Sequence, residues 1–302
     1  MTATNLSHKA QRLLLPLELA KLFIVLFISV TALTSATVLQ AAVVFKSLNS
    51  STTLAKAIQG GLLLGLTEPG NTVWLDDNKV KVAADGTFII GFGRSTLNAQ
   101  LKIRSAAGVE EVQNIKVLRR EYKIDRIDGL APAKVNPKGE LVLKRIKIES
   151  VLVKKARKTD HSRQNFKEGF IWPAKGRISG VYGSQRILNG EAKWPHYGLD
   201  IAAAKGTAVI APVSGIVTLA HSDMYYSGGT LILDHGQGLS STFLHLSEIV
   251  VKEGEYIEKG TVIGKVGATG RATGAHLDWR INWFTIRLDP LFLVEGISQD
   301  AQ

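Results

Sequence analysis

From about Gly60 to Val117, apolar and polar positions alternate in short runs broken by turn residues. Val73-Trp74-Leu75 leads into Asp76-Asp77-Asn78, after which Val80-Lys81-Val82 alternates again. Asp85-Gly86 marks a tight turn before Thr87-Phe88-Ile89-Ile90, and Leu101-Lys102-Ile103 and Ile115-Lys116-Val117 repeat the pattern. A period of two places alternate side chains on one face, which predicts half-buried strands. Residues 58–118 therefore read as a small all-β sandwich domain. No cluster of His or carboxylates falls in it, so it is assigned binding or spacing rather than chemistry. Residues 119–169 are polar and basic, with Pro132 and Pro137 ahead of a run from Lys144 to Lys158. Arg145, Lys147, Lys154, Lys155 and Arg157 there intersperse with Leu141, Val142, Ile146, Val151 and Leu152, which predicts an amphipathic helix in a linker. From Ile171 the texture changes to β-branched runs such as Gly215-Ile216-Val217-Thr218-Leu219 and Thr230-Leu231-Ile232-Leu233. Turn signals separate them at Ala211-Pro212, Ser227-Gly228-Gly229 and Lys259-Gly260, and no helix of three turns is visible. Residues 170–294 are expected to be an antiparallel β-sandwich or barrel-like domain. The fold class is all-β.

The first 45 residues follow a different rule. Leu22 to Phe45 contains no charged residue, and Lys9, Arg12 and Lys21 precede it. That is the layout of a secretory signal peptide or signal anchor. Thr34 and Ala36 offer a small-x-small cleavage site, Ala41 and Ala42 a weaker one, and the stretch is also long enough to span a bilayer. Cleavage and retention both remain open. Either implies an exported chain in the periplasm or cell envelope, anchored to the inner membrane if the segment is kept.

Charge sharpens this picture. The 302 residues carry 37 Lys or Arg and 26 Asp or Glu, a formal net charge of +11. Residues 1–170 hold 26 basic against 14 acidic groups, and residues 171–302 hold 11 against 12. The basic run is either a solvated helix face or a point of attraction to an anionic polymer or lipid headgroups. Basic residues interleaved with aromatics on one face, the mark of a nucleic-acid binder, are missing, so no nucleic acid is expected. The absence of Cys excludes a thiol nucleophile, an iron–sulfur centre and a thiolate zinc site.

The remaining candidates for chemistry are histidines. Five of the seven lie between residues 196 and 276. His196 and Asp200 are four apart, and His276 and Asp278 are two apart. In a strand, i and i+2 share a face, so His276 and Asp278 can address one pocket. Imidazole nitrogen and carboxylate oxygen are both zinc ligands, and three protein ligands with a water make a catalytic site. The metal would acidify that water and supply a nucleophile without Ser or Cys. His245, at the end of the apolar run Phe243-Leu244-His245-Leu246, is placed to act as a base or to steady developing charge. On pattern alone the competing reading is ordinary turn and surface histidines. His235 in its Asp-His-Gly turn reads as structural and His221 as surface. Trp279 and Trp283 read as core, with a groove wall as the alternative.

These residues carry a resemblance. Val181-Tyr182-Gly183-Ser184-Gln185-Arg186, His196-x-x-x-Asp200, Gly215-Ile216-Val217, Gly228-Gly229 to Gly238, Phe243-Leu244-His245-Leu246-Ser247 and Gly267 through His276 follow one another. Together they make the domain at about 170–294 resemble the lysostaphin-like zinc metallopeptidases, or LytM domains. The resemblance implies an antiparallel β domain with an open groove. It also implies one Zn²⁺ per chain and hydrolysis of peptide cross-links or stems in peptidoglycan. It assigns His196 and Asp200 as metal ligands and His245 and His276 as catalytic histidines that orient the water and stabilise the oxyanion. The family's last motif is usually His-x-His, and Asp278 stands where its second His binds metal, so Asp278 is expected as the third ligand. A second carboxylate lowers the positive charge on the metal and should raise the pKa of its water. Arg186 is expected either to bind a substrate carboxylate or to form a stabilising ion pair. The resulting expectation is an exported peptidoglycan endopeptidase. Peptidoglycan would be its partner, and the membrane surface or other envelope proteins further ones. The alternative is an inactive LytM-like domain that binds peptidoglycan or activates other cell-wall hydrolases.

Overall fold

The computed structural model describes residues 44–47, 50–54 and 56–294. The expected signal or anchor segment, residues 1–45, lies outside them except for Val44 and Phe45, which open the strand Val44–Ser47. The N-terminal β region consists of two four-stranded antiparallel sheets. One runs in the order Ser50–Leu54, Val44–Ser47, Leu62–Leu66, Thr87–Gly91; the other runs Asn78–Val80, Thr72–Leu75, Asn98–Arg104, Glu110–Lys116. The sequence alternation becomes burial alternation in Asn98–Arg104, where Ala99, Leu101 and Ile103 point inward. Phe88-Ile89-Ile90 does not alternate, and its three side chains are all buried. An uninterrupted apolar run is what a strand covered on both faces requires.

The linker is more engaged than its composition suggests. Its helix is Glu140–Ala156, starting ahead of the basic run, with Lys154 and Lys155 in the last turn where they complement the carbonyl end. The helix does not bury its apolar stripe. Leu141, Ile148 and Val151 are exposed while Glu149 is buried, because the Glu149 carboxylate accepts from Arg145 Nε at 2.6 Å and the Tyr225 backbone amide at 2.8 Å. Upstream, Ile124–Ile127 forms a strand that pairs in parallel with Gln185–Leu188, Asp125 opposite Arg186. Residues 119–169 thus supply a strand to the region they were expected only to precede. Further on, Arg120 bonds Asp289 at 2.8 Å, with the carboxylate fully buried.

The C-terminal region is built on one antiparallel sheet. Its order is Arg177–Gly180, Leu199–Ala202, His276–Trp283, Leu239–Leu246, Gly228–Gly236, Gly215–Met224, Tyr256–Ile257, with Ile286–Leu288 joined to the far half of His276–Trp283. One face carries Phe243, Leu277, Trp279 and Ile281 into the core. Trp279 is completely buried, as a core residue rather than a groove wall. The opposite face of the central strands carries the polar residues. The all-β class expected from the sequence is the class observed.

Candidate active site

Strand register assembles the site. Asp200 on Leu199–Ala202 stands opposite Asp278, and Ala202 opposite His276. His276, Asp278 and Arg280 share a face of their strand by period two. His196 arrives from the segment just before Leu199 and is almost fully buried. One ligand atom from each of His196, Asp200 and Asp278 lies within 4.8 Å of the others. Gly198 makes room for this: a Cβ there would stand 2.3 Å from Asp278 Oδ1 and 2.7 Å from Arg280 Cγ.

The three residues fit a divalent cation. Both ring nitrogens of His196 and Oδ1 of Asp200 are buried without a hydrogen-bond partner, although His196 Nε2 and Asp200 Oδ1 are only 3.1 Å apart. Buried polar atoms rarely stay unsatisfied, and one nitrogen with two carboxylate oxygens is a donor set zinc accepts.

Both carboxylates also have guanidinium partners. Arg280 grips Asp278 with two bonds, Nε to Oδ1 at 2.9 Å and Nη2 to Oδ2 at 2.6 Å. Arg186 donates to Asp200 Oδ2 at 2.6 Å, so its guanidinium is used on a site carboxylate. Burial pushes the Asp278 carboxyl upward, but Arg280 and His196 outweigh it and hold the group well below the usual carboxylate range. Asp200 is likewise held low against its burial, chiefly by His196 and with help from Arg186. A carboxylate has about four lone-pair sites, so each retains capacity for a cation.

His245 and His276 face this cluster with ring centroids 4.7 Å apart. His245 Nδ1 lies 2.8 Å from the Thr269 carbonyl oxygen, and His276 Nδ1 lies 2.9 Å from that of Gly274. A carbonyl only accepts, so Nδ1 of each ring carries a proton, and whenever a ring is neutral its Nε2 presents the lone pair. His276 Nε2 is 3.9 Å from Asp200 Oδ1. Burial pushes His245 down to about 4, so it is neutral near pH 7. Its backbone sits at φ 65°, a conformation that costs a non-glycine residue about 1–3 kcal/mol. The glycine-rich approach holds its partner in place. Thr269 Oγ1 donates to the Leu246 carbonyl and accepts the Gly229 amide, both at 2.9 Å. A Cβ on Gly228 would stand 2.1 Å from that oxygen.

Every sequence-predicted site residue lies in this one cluster. His235 is instead buried between the Ser214 carbonyl and the Ser241 hydroxyl, and His221 accepts the Asp223 amide. Sequence reasoning missed Arg280 and Thr269. The first was readable: it stands two residues past Asp278, on the same face, with opposite charge. The second acts through backbone and hydroxyl contacts that no spacing encodes.

The stretch that holds these residues is similar to known peptidases. Residues 194–290 match the model of Peptidase family M23. The peptidoglycan DD-endopeptidase ShyA of Vibrio cholerae is 35% identical over 109 residues, which is 36% of this chain and 25% of that protein. The DD-carboxypeptidase/endopeptidase Mpg of Neisseria meningitidis is 40% identical over 89 residues, 29% of this chain and 20% of Mpg. The chain therefore spans about a quarter or less of the length of these curated relatives. A solved M23 peptidase structure from Pseudomonas aeruginosa extends the likeness well beyond the site. At 30% identity and a TM-score of 0.60, it matches 80% of this chain across 96% of its own length. A relative followed so nearly from end to end places the chain in Peptidase family M23.

Proposed function

We propose that the chain is an exported, zinc-dependent peptidoglycan endopeptidase. The observation that carries this reading is the convergence of His196, Asp200 and Asp278, with two more histidines turning Nε2 toward them. The endopeptidase names of ShyA and Mpg point the same way. His196, Asp200 and Asp278 would hold the metal, which when bound acidifies a water and polarises a carbonyl. The chain's own residues do the rest. His276 Nε2, beside Asp200, accepts a proton from the attacking water. His245, neutral and oriented by Thr269, relays that proton through Nε2 to the nitrogen that leaves as the scissile C–N bond breaks and the water oxygen joins the carbonyl carbon. Arg186 and Arg280 fix the two carboxylates so that neither swings out of the cluster.

The test uses purified full-length chain with zinc content and soluble muropeptide release read on the same samples. About one zinc per chain is expected, with release abolished by His196→Ala while circular dichroism is unchanged. A folded wild type that holds no zinc and releases nothing would overturn the reading.

One observation favours a second reading, a non-catalytic regulator of other wall hydrolases. Each site carboxylate already has a guanidinium, so the cluster is charge-balanced without a metal. Acquisition of zinc by Asp278→His, where the wild type takes none, would identify that case.

A further inference from the structure

Past Asp278, the polar face of the His276–Trp283 strand continues with Arg280 and Asn282. Their cross-strand neighbours are Thr242, opposite Arg280, and Ser240 and Arg287, both opposite Asn282. Arg157, the residue that ends the Glu140–Ala156 helix, reaches over this patch and donates from Nη2 to Thr242 Oγ1 at 3.0 Å. Arg287 Nη1 donates to Asn282 Oδ1 at 3.3 Å. Three guanidiniums thus gather beside the cluster, and only Arg280 has a carboxylate partner. Among the described residues no Asp or Glu forms an ion pair with Arg157 or Arg287. Burying a cation without a counter-charge is costly, and the cost is visible in both groups. Burial and the neighbouring Arg287 and Arg280 charges push Arg157 well below its ordinary value. Burial and Arg280 push Arg287 down to about 10.

The hydrogen-bond donors tell the same story independently. Arg157 Nε, Asn282 Nδ2 and Ser240 Oγ are all buried with no partner. Asn282 is 0% and Ser240 1% exposed. Three unsatisfied donors and two cations without a direct ion-pair partner, with Asp278 as their shared opposing charge, describe a place suited to an acceptor that carries negative charge. A cleft of about 250 Å³ reaches the two arginines, lined by Arg157, Arg287, Tyr226 and Ser227 together with Glu149, whose carboxylate is already held by Arg145 and the Tyr225 amide. That volume admits a planar anionic group and part of the chain behind it.

We infer that Arg157 and Arg287 form an anion subsite in this cleft that takes a free carboxylate of a peptide stem. Guanidinium forks match a planar carboxylate with paired donors, and Asn282, which accepts from Arg287 Nη1, holds that guanidinium from behind. The identity of the peptide rests on the proposed peptidoglycan reading; the anion chemistry does not. The subsite would orient the stem so that the scissile bond lies over His196, Asp200 and Asp278.

The test is calorimetric binding to full-length chain in neutral detergent. Two synthetic stem pentapeptides are compared, one with free carboxylates and one with every carboxylate amidated. The free peptide is expected to bind about tenfold tighter or more, the scale of one charge-assisted contact. Arg287→Gln should erase that preference, and Arg287→Lys should restore part of it. Equal binding of the two peptides by the wild type would overturn the subsite, as would a preference that survives in folded Arg287→Gln. If Arg287→Gln fails to fold, the wild-type pair and Arg287→Lys decide. A chain that releases muropeptides yet binds both peptides equally loses the subsite and keeps the hydrolase reading. One that releases none but keeps an Arg287-dependent preference loses the hydrolase reading and keeps the subsite.

Discussion

Arg280 closes on both oxygens of Asp278 from two residues along the same strand. An ordinary i, i+2 spacing thereby produces a fork-to-fork ion pair at the centre of the site, and a metal bound there would share a ligand with a guanidinium.

Removing that guanidinium leaves a buried carboxylate uncompensated. Arg280→Gln is therefore expected to destabilise the metal-free chain by about 3 kcal/mol. Saturating zinc should recover most of the loss, because the cation replaces the missing charge. Urea denaturation with and without zinc checks this; an equal loss in both conditions would contradict the shared-ligand picture.

His245 holds φ at 65°. Asn tolerates that region better than most residues, so His245→Asn should fold with little change in denaturation midpoint. Loss of its imidazole should still reduce muropeptide release by roughly 100-fold or more. Near-normal release would remove His245 from the chemistry.

Gly198 lies within 2.3 Å of Asp278 Oδ1 when given a Cβ. Gly198→Ala must displace that carboxylate or Arg280, at a cost of about 1–3 kcal/mol in stability. Zinc affinity should fall by more than the stability change alone explains. Zinc titration of the folded variant measures it, and wild-type affinity would show that the carboxylate is free to move.

His235 is fully buried, and burial pushes it down to about 4 from an ordinary 6.5. The folded state thus prefers the neutral ring, and the unfolded chain takes up the proton first as pH falls. Stability from this group is complete above about pH 6.5 and declines through pH 4, by about 3 kcal/mol in total. Urea midpoints at pH 7, 5 and 4 should drop more steeply for wild type than for His235→Gln.

Much of the site was legible because it uses the strand period directly. His276 and Asp278 meet the same pocket for the reason that Ala99, Leu101 and Ile103 share a core face. Asp200 opposite Asp278 required register, which spacing alone does not contain. Arg157 and Arg287 were illegible as a pair, since one ends a helix and the other sits on a three-residue strand far along the chain. The helix was legible from Leu141 onward, one residue inside its start at Glu140, where Gly139 at φ 93° breaks the chain. Ile124–Ile127 read as linker because four residues, Ile-Asp-Arg-Ile, are too few to establish alternation, and their pairing partner is distant in sequence.

That short parallel pairing gives the linker a share in the site. Ile124–Ile127 runs beside Gln185–Leu188 with Asp125 abreast of Arg186, and Arg186 holds Asp200. One backbone rung and one guanidinium therefore separate the linker from a site carboxylate, so the segment between the two β regions is part of what seats Asp200.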